Sequence, residues 1–114
     1  MAAGISTIIY PVKDLASAKG LYGRLLGAEP AMDERYYVQF NVGGQQIGLD
    51  PHGHAKGMTG AVPYVLVDDI QAALTRLREA GAEERQPPTD VGGGRLIALV
   101  ADADGNVTGL MQDT

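Results

Sequence analysis

The chain has no cysteine, no tryptophan and a single phenylalanine in 114 residues. Without cysteine there are no disulfides, no thiolate metal ligands and no cysteine nucleophile. A cysteine-free chain is compatible with the cytoplasm, which is the expected location. Basic residues are also few. Nine Lys and Arg against fourteen Asp and Glu give a net charge of −5, and the nine are scattered. Phosphate contacts need clustered cations, so no nucleic-acid partner is expected. No apolar run approaches the roughly 18 residues of a membrane helix, so no membrane partner is expected either. Met1-Ala2-Ala3-Gly4 lacks the basic and apolar regions of a secretory leader.

What the chain does have is repetition. Val12, Asp14, Leu15, Ala18 and Gly27-Ala28-Glu29 in the first half are answered by Val67, Asp69, Ile70, Ala73 and Gly81-Ala82-Glu83 in the second. Gly48-Leu49 is answered by Gly109-Leu110. A repeat of about half the chain is one supersecondary unit used twice. Each half would be marginal alone, whereas two sharing a core bury enough apolar surface to fold. Function is therefore sought between the halves, at paired positions.

Ile5–Val12 reads as a strand, apolar and mostly β-branched or aromatic. Asp14 suits an N-cap, and Leu15, Ala18, Tyr22, Leu25 and Leu26 recur at helical spacing until Gly27. Gly20 and Gly23 weaken that helix by about 1 kcal/mol each, and are read as permitting close packing on a sheet. Ala31–Tyr36 is a poor strand. Tyr37–Val42 is a good one, with Tyr37, Gln39 and Asn41 on one face, and Gln45–Asp50 returns after Gly43-Gly44. The glycine-rich Pro51–Gly60 reads as a flexible linker. The second half follows the same order. Ala61–Asp68 is a strand, Asp69 a cap, and Ile70, Ala73, Leu74, Leu77 and Ala80 a helical stripe ended by Gly81. Ala82–Gln86 is a short edge strand checked by Pro87-Pro88. Gly92–Gly94 is a turn, Arg95–Ala101 a strand, Asp102–Asn106 a turn and Val107–Gln112 the last strand.

The V-x-D-[LI]-x-x-A opening of both halves, with the D-x-D-G-N turn at Asp102–Asn106, resembles the vicinal-oxygen-chelate superfamily. Glyoxalase I, extradiol dioxygenases, fosfomycin-resistance enzymes and bleomycin-resistance proteins belong to it. The resemblance covers roughly residues 5–112. It implies an α+β fold, two tandem βαβββ modules forming a curved mixed sheet around a shared cup, with the helices outside. The expected organisation is a single domain over residues 1–114, with module 1 at about 5–50, a linker at 51–60 and module 2 at about 61–112.

In metal-dependent members of that superfamily, the first and fourth strands of each half supply one ligand each. Carried over by the motifs, the four positions fall on Thr7, Gly48, Val62 and Gly109. None offers an imidazole or a carboxylate, and shifting the register by one residue gives no better set. No metal and no other cofactor is therefore expected. The two glycines admit two readings. They leave room for a ligand at the floor of the cup, or they relieve crowding in a cup already filled.

The remaining cup residues implied by strand alternation are Ile9, Tyr37, Gln39, Tyr64, Leu96 and Met111, with Asn41, Ala98 and Val107 beside them. This is a mostly apolar lining with tyrosine edges and a few amides, suited to a small molecule and poor in groups that titrate near neutrality. His52 and His54, the only histidines, read as part of a solvated loop. No catalytic residue is assigned. The resemblance therefore points to a metal-free binding protein like the bleomycin-resistance branch, sequestering an apolar or aromatic small molecule and forming a homodimer. With no Trp and one Phe to stack on planar rings, bleomycin itself fits poorly. The alternative is an enzyme of the same superfamily, either a glyoxalase-like lyase or dioxygenase with displaced ligands or a metal-free lyase or isomerase, for which His52, His54, Asp50 or Asp90 would have to reach the cup.

Overall fold

Capping aspartates set the frame of both repeats. The computed structural model describes residues 2–113. The first repeat runs β1 (Ala2–Pro11), α1 (Leu15–Leu26), β2 (Met32–Glu34), β3 (Tyr37–Val42) and β4 (Gln45–Asp50). The second runs β5 (Val62–Val67), α2 (Ile70–Glu79), β6 (Glu83–Asp90), β7 (Leu96–Ala101) and β8 (Val107–Gln112). The class is α+β, with the expected βαβββ order twice. Asp14 accepts from the Ser17 N–H and Asp69 from the Ala72 N–H, both at 3.1 Å, so each helix starts where its carboxylate satisfies a free amide. Gly27 ends α1 at φ +62°, a conformation that costs a residue with a Cβ about 1–2 kcal/mol.

Two compact units divide the described chain. One spans Thr7–Val62; the other joins the N-terminal residues through Ser6 to Pro63 and everything after it. In the Thr7–Val62 unit the strand order is β2-β3-β4-β1, with β1 and β4 parallel and the other pairs antiparallel. Helix α1 covers one face. Val12, Val38, Phe40 and Leu49 are buried there beneath Leu15, Ala18, Tyr22 and Leu26. Each fully buried side chain of this size contributes about 1.5–3 kcal/mol, which offsets the weak helix propensity of α1. Tyr10 and Tyr22 stack with ring centroids 4.7 Å apart.

The segment Pro51–Gly60 is a packed loop and not the flexible linker its composition suggests. The Asp50 carboxylate accepts from the His52 N–H at 2.8 Å and from Lys56 Nζ at 2.7 Å. Its carbonyl oxygen accepts from the Val12 and Gly53 amides. A short 3-10 turn at His54–Lys56 follows, and Met58 is buried. Gly53 lies so close to Pro11 that a Cβ there would stand 2.7 Å from the proline Cβ. Glycine was needed for close approach, not for slack.

In the other unit the order is β5-β8-β7-β6, with β5 and β8 parallel. Helix α2 buries Ile70, Ala73 and Leu74 against Val67, Ala98, Val100 and Leu110. Strand β6 runs through Pro87 and Pro88 to Asp90, longer than the expected Ala82–Gln86. It pairs only with β7 among the described residues, so a missing N–H costs nothing on its free side. Register shifts at Glu84/Gln86 and Gln86/Thr89 absorb the rest. The Asp102 carboxylate closes the β7–β8 turn by accepting from the Asp104 and Asn106 amides at 2.9 and 2.8 Å.

Candidate functional site

The sheet face opposite α1 gathers five of the expected residues. Register pairs Thr7 with Gln46, Ile9 with Gly48, Gly48 with Gln39 and Gln46 with Asn41. Because side chains alternate, Thr7, Ile9, Tyr37, Gln39, Asn41, Gln46, Gly48 and Asp50 share this face, away from the core under α1. Thr7 Oγ1 donates to Gln46 Oε1 at 2.8 Å. The Tyr37 hydroxyl donates to Gln39 Oε1 at 3.1 Å, and Gln39 Nε2 donates to Asn41 Oδ1 at 3.0 Å. Thr7, Ile9, Gly48 and Asp50 are buried, Tyr37, Gln39 and Gln46 half-buried, and Asn41 exposed. Val62 belongs to the same unit and is buried.

Gly48 lies beneath the Tyr37 ring. A Cβ at 48 would come under 3.0 Å from the phenol end of that side chain. In the second repeat a tyrosine also covers the glycine, but from the parallel strand, at the position Ile9 holds in the first. Tyr64 and Gly109 are register partners across β5 and β8, and a Cβ at 109 would come under 3.0 Å from the Tyr64 ring. Tyr64, Val107, Gly109 and Met111 share the face opposite α2, where Ser6 Oγ lies 3.5 Å from Met111 Sδ. Tyr64 is wholly buried. So the tyrosine over Gly109 is core, while the tyrosine over Gly48 has access to solvent.

Leu96 and Ala98 are corrections. Both pack in the α2 cluster, on the opposite face from Gly109. The register Leu99↔Gly109 and Ile97↔Met111 puts Leu99 and Ile97 on the Gly109 face instead. In β7 the odd-numbered residues take the Gly109 face and the even-numbered ones the α2 face.

The residues present do not fit the superfamily's metal. Thr7 offers a hydroxyl engaged with Gln46, Val62 an alkyl group, and both glycines lie under tyrosine rings. Among the described residues, no group of three or more His, Cys, Asp and Glu stands close enough to hold an ion. His52 and His54 belong to the packed loop. The three carboxylates held below their usual range all have local causes. The Ser17 backbone N–H lowers Asp14, the Asn106 side chain lowers Asp102, and a hydrogen bond from Arg95 lowers Asp113.

Sequence reasoning missed two features. Gln46 lies two residues from Gly48 on its own face, where strand alternation alone would have found it; Asp50, two residues to the other side, already stands on that face. A groove of about 510 Å³ also opens beside α1, lined by Gly20, Gly23, Gly27, Arg24 and Phe40 among others. It arises from side chains that α1 lacks. A Cβ at Gly20 would meet nothing within 4 Å, so this glycine does not serve close packing on the sheet, as its position suggested.

The duplicated βαβββ order, parallel first and fourth strands and paired glycines define a class of fold. A model of the Glyoxalase/Bleomycin resistance protein/Dioxygenase superfamily matches residues 4–110, and the chain belongs to that superfamily. No curated protein sequence matches it significantly. Among solved structures, one described as an NAD-dependent benzaldehyde dehydrogenase from Legionella pneumophila is 18% identical with a TM-score of 0.76, covering 95% of this chain and 98% of its own. A methylmalonyl-CoA epimerase from Mycobacterium tuberculosis is 19% identical with a TM-score of 0.69, covering 99% and 89%. A superfamily member from Vibrio splendidus 12B01 is 15% identical with a TM-score of 0.72, covering 99% and 100%. At these identities the likeness is one of fold. No helix among the described residues is long and apolar enough to cross a membrane.

Proposed function

We propose that the protein binds an apolar or aromatic small molecule without a metal, on the sheet face opposite α1, and acts by sequestration in the manner of the bleomycin-resistance branch. One observation carries the reading. Where the resemblance implies a carboxylate ligand, Gly48 stands under a half-buried tyrosine, with hydrogen-bonded neutral side chains on either side. Such a face gives an aromatic surface to stack on and fixed polar groups to orient a ligand. It gives little to move a proton. Of its two described carboxylates, Asp50 is occupied by Lys56 and the His52 amide, and Glu34, the register partner of Tyr37, is exposed on the edge strand β2.

The reading includes a cytoplasmic homodimer. Leu21 and Leu25, one turn apart on α1, are 63% and 72% exposed, and exposed apolar side chains in a small domain favour a partner surface. Light scattering at micromolar concentration checks it by mass.

A thermal-shift screen of planar aromatic compounds tests the binding reading. Hits are expected to raise the melting temperature of the wild type and not of Tyr37→Ala. The competing reading, an enzyme with displaced ligands, gains if elemental analysis finds about one divalent ion per chain or if chelation abolishes turnover of a glyoxalase or catechol substrate.

A further inference from the structure

We infer that the polar end of the ligand is a carboxylate or carbonyl group, received by the side-chain amides of Asn41 and Gln46. The inference rests on the binding reading above and names the chemistry of that same face. Asn41 and Gln46 are register partners on β3 and β4, so their Cβ atoms lie about 4.5–5.5 Å apart on one side of the sheet. Each is held by its oxygen. Gln46 Oε1 accepts from Thr7, and Asn41 Oδ1 accepts from Gln39, whose own oxygen accepts from Tyr37. The acceptors of both amides are thus engaged inside the protein. Their Nδ2 and Nε2 donors have no partner among the described residues.

A primary amide presents two N–H donors once its oxygen is engaged. Two such groups side by side form a patch of up to four donors, against one lone pair left on each engaged oxygen, oriented in advance by the Thr7 and Gln39 bonds. An acceptor-rich group such as a carboxylate satisfies it; an ammonium group, which only donates, does not. Charge does not oppose this locally. Of the two carboxylates on this face, Asp50 is balanced by Lys56 at 2.7 Å, and Glu34 is exposed to solvent opposite Tyr37, four residues along β3 from Asn41. Tyr37 and Ile9, beside the patch, would take the aromatic or apolar body of the ligand. An aryl or alkyl carboxylate is the class that fits.

The test uses the 15N-labelled protein and three probes sharing one ring: benzoate, benzylamine and benzyl alcohol. Benzoate is expected to shift the side-chain amide signals of Asn41 and Gln46 saturably, and benzylamine is not. Gln46→Glu, and separately the exposed Asn41→Asp, replace donors with a carboxylate and are expected to weaken benzoate about tenfold or more, which corresponds to about 1.4 kcal/mol. If benzylamine moves the two amides as strongly, or benzoate binding survives both substitutions, the carboxylate inference is overturned. Should benzyl alcohol still move Tyr37, Ile9 and Gly48 in that case, the binding reading stands without it. If no probe moves any signal on this face, both fail together.

Discussion

Tyr64 and Gly109 face each other across β5 and β8, and the ring of the tyrosine fills the space that a side chain at 109 would need. In the first repeat Tyr37 covers Gly48 from β3, where Gln39 is the register partner, and there is a further difference of consequence. At Gly109 the crowding atoms include Tyr64 Cγ, next to the backbone, and the ring is wholly buried. At Gly48 they are the hydroxyl end of a half-buried ring. Both glycines are thus crowded by a tyrosine, Gly109 by a fixed buried ring and Gly48 by the far end of a half-buried one.

Gly109→Ala is therefore expected to destabilise by about 1–3 kcal/mol, the range for overpacking a core, because Tyr64 has nowhere to go. Gly48→Ala should cost less than about 1 kcal/mol, since the end of Tyr37 can turn outward. Urea titrations of the two variants check the order, and equal losses would show Tyr37 to be as fixed as Tyr64.

Gly20→Ala is expected to stabilise the protein by about 1 kcal/mol. The position is interior to α1, and the added methyl group meets nothing within 4 Å, so only helix propensity changes. A melting temperature at or below wild type would mean that the backbone there needs glycine for a reason other than space.

Asp50→Ala removes the acceptor of both the His52 amide and Lys56, and is expected to cost about 1–3 kcal/mol. Lys56→Ala should cost under about 1 kcal/mol, because the Lys56 side chain is 35% exposed and solvent screens its half of the pair. Denaturation midpoints of the two variants separate a hydrogen-bonded hub from a simple ion pair.

Acid should act through Asp14, Asp102 and Asp113. All three are held below the ordinary carboxylate value of 3.8 in the folded chain, so the unfolded chain binds their protons first. Their stabilisation is present in full above about pH 5 and is lost as pH falls through their lowered folded values. Melting temperature is expected to drop below about pH 4, and Asp102→Asn to make that drop shallower. A decline that begins near neutrality would point to other groups.

The fold was legible because its signals are local. Asp14 and Asp69 cap the helices they were expected to cap, and the alternation of Tyr37–Val42 fixed both faces of β3. The misreadings share a cause: composition stood in for three-dimensional neighbours. Gly53 looked like slack and is a close contact with Pro11. Gly20 looked like close packing and faces open space. Leu96 has the opposite parity from the one expected, because nothing in Arg95–Ala101 distinguishes its two apolar faces until β8 supplies the register. The roles of Gly48 and Gly109 depend on tyrosines 11 and 45 residues away, beyond any pattern along the chain.

The knot at Asp50 also decides where the polypeptide can be opened. Reporter sequences and new termini are commonly placed where two repeats join, on the assumption that the join is slack. Here that segment carries a buried methionine, a glycine pressed on Pro11 and three hydrogen bonds to one aspartate. Gly92, Gly93 and Gly94 all have positive φ in an exposed turn closed by bonds of its own, from the Arg95 amide to the Gly92 carbonyl and from the Gly92 amide to Asp90. A designer seeking a permissive port for an inserted peptide or a circular permutation would find it there, within the second repeat.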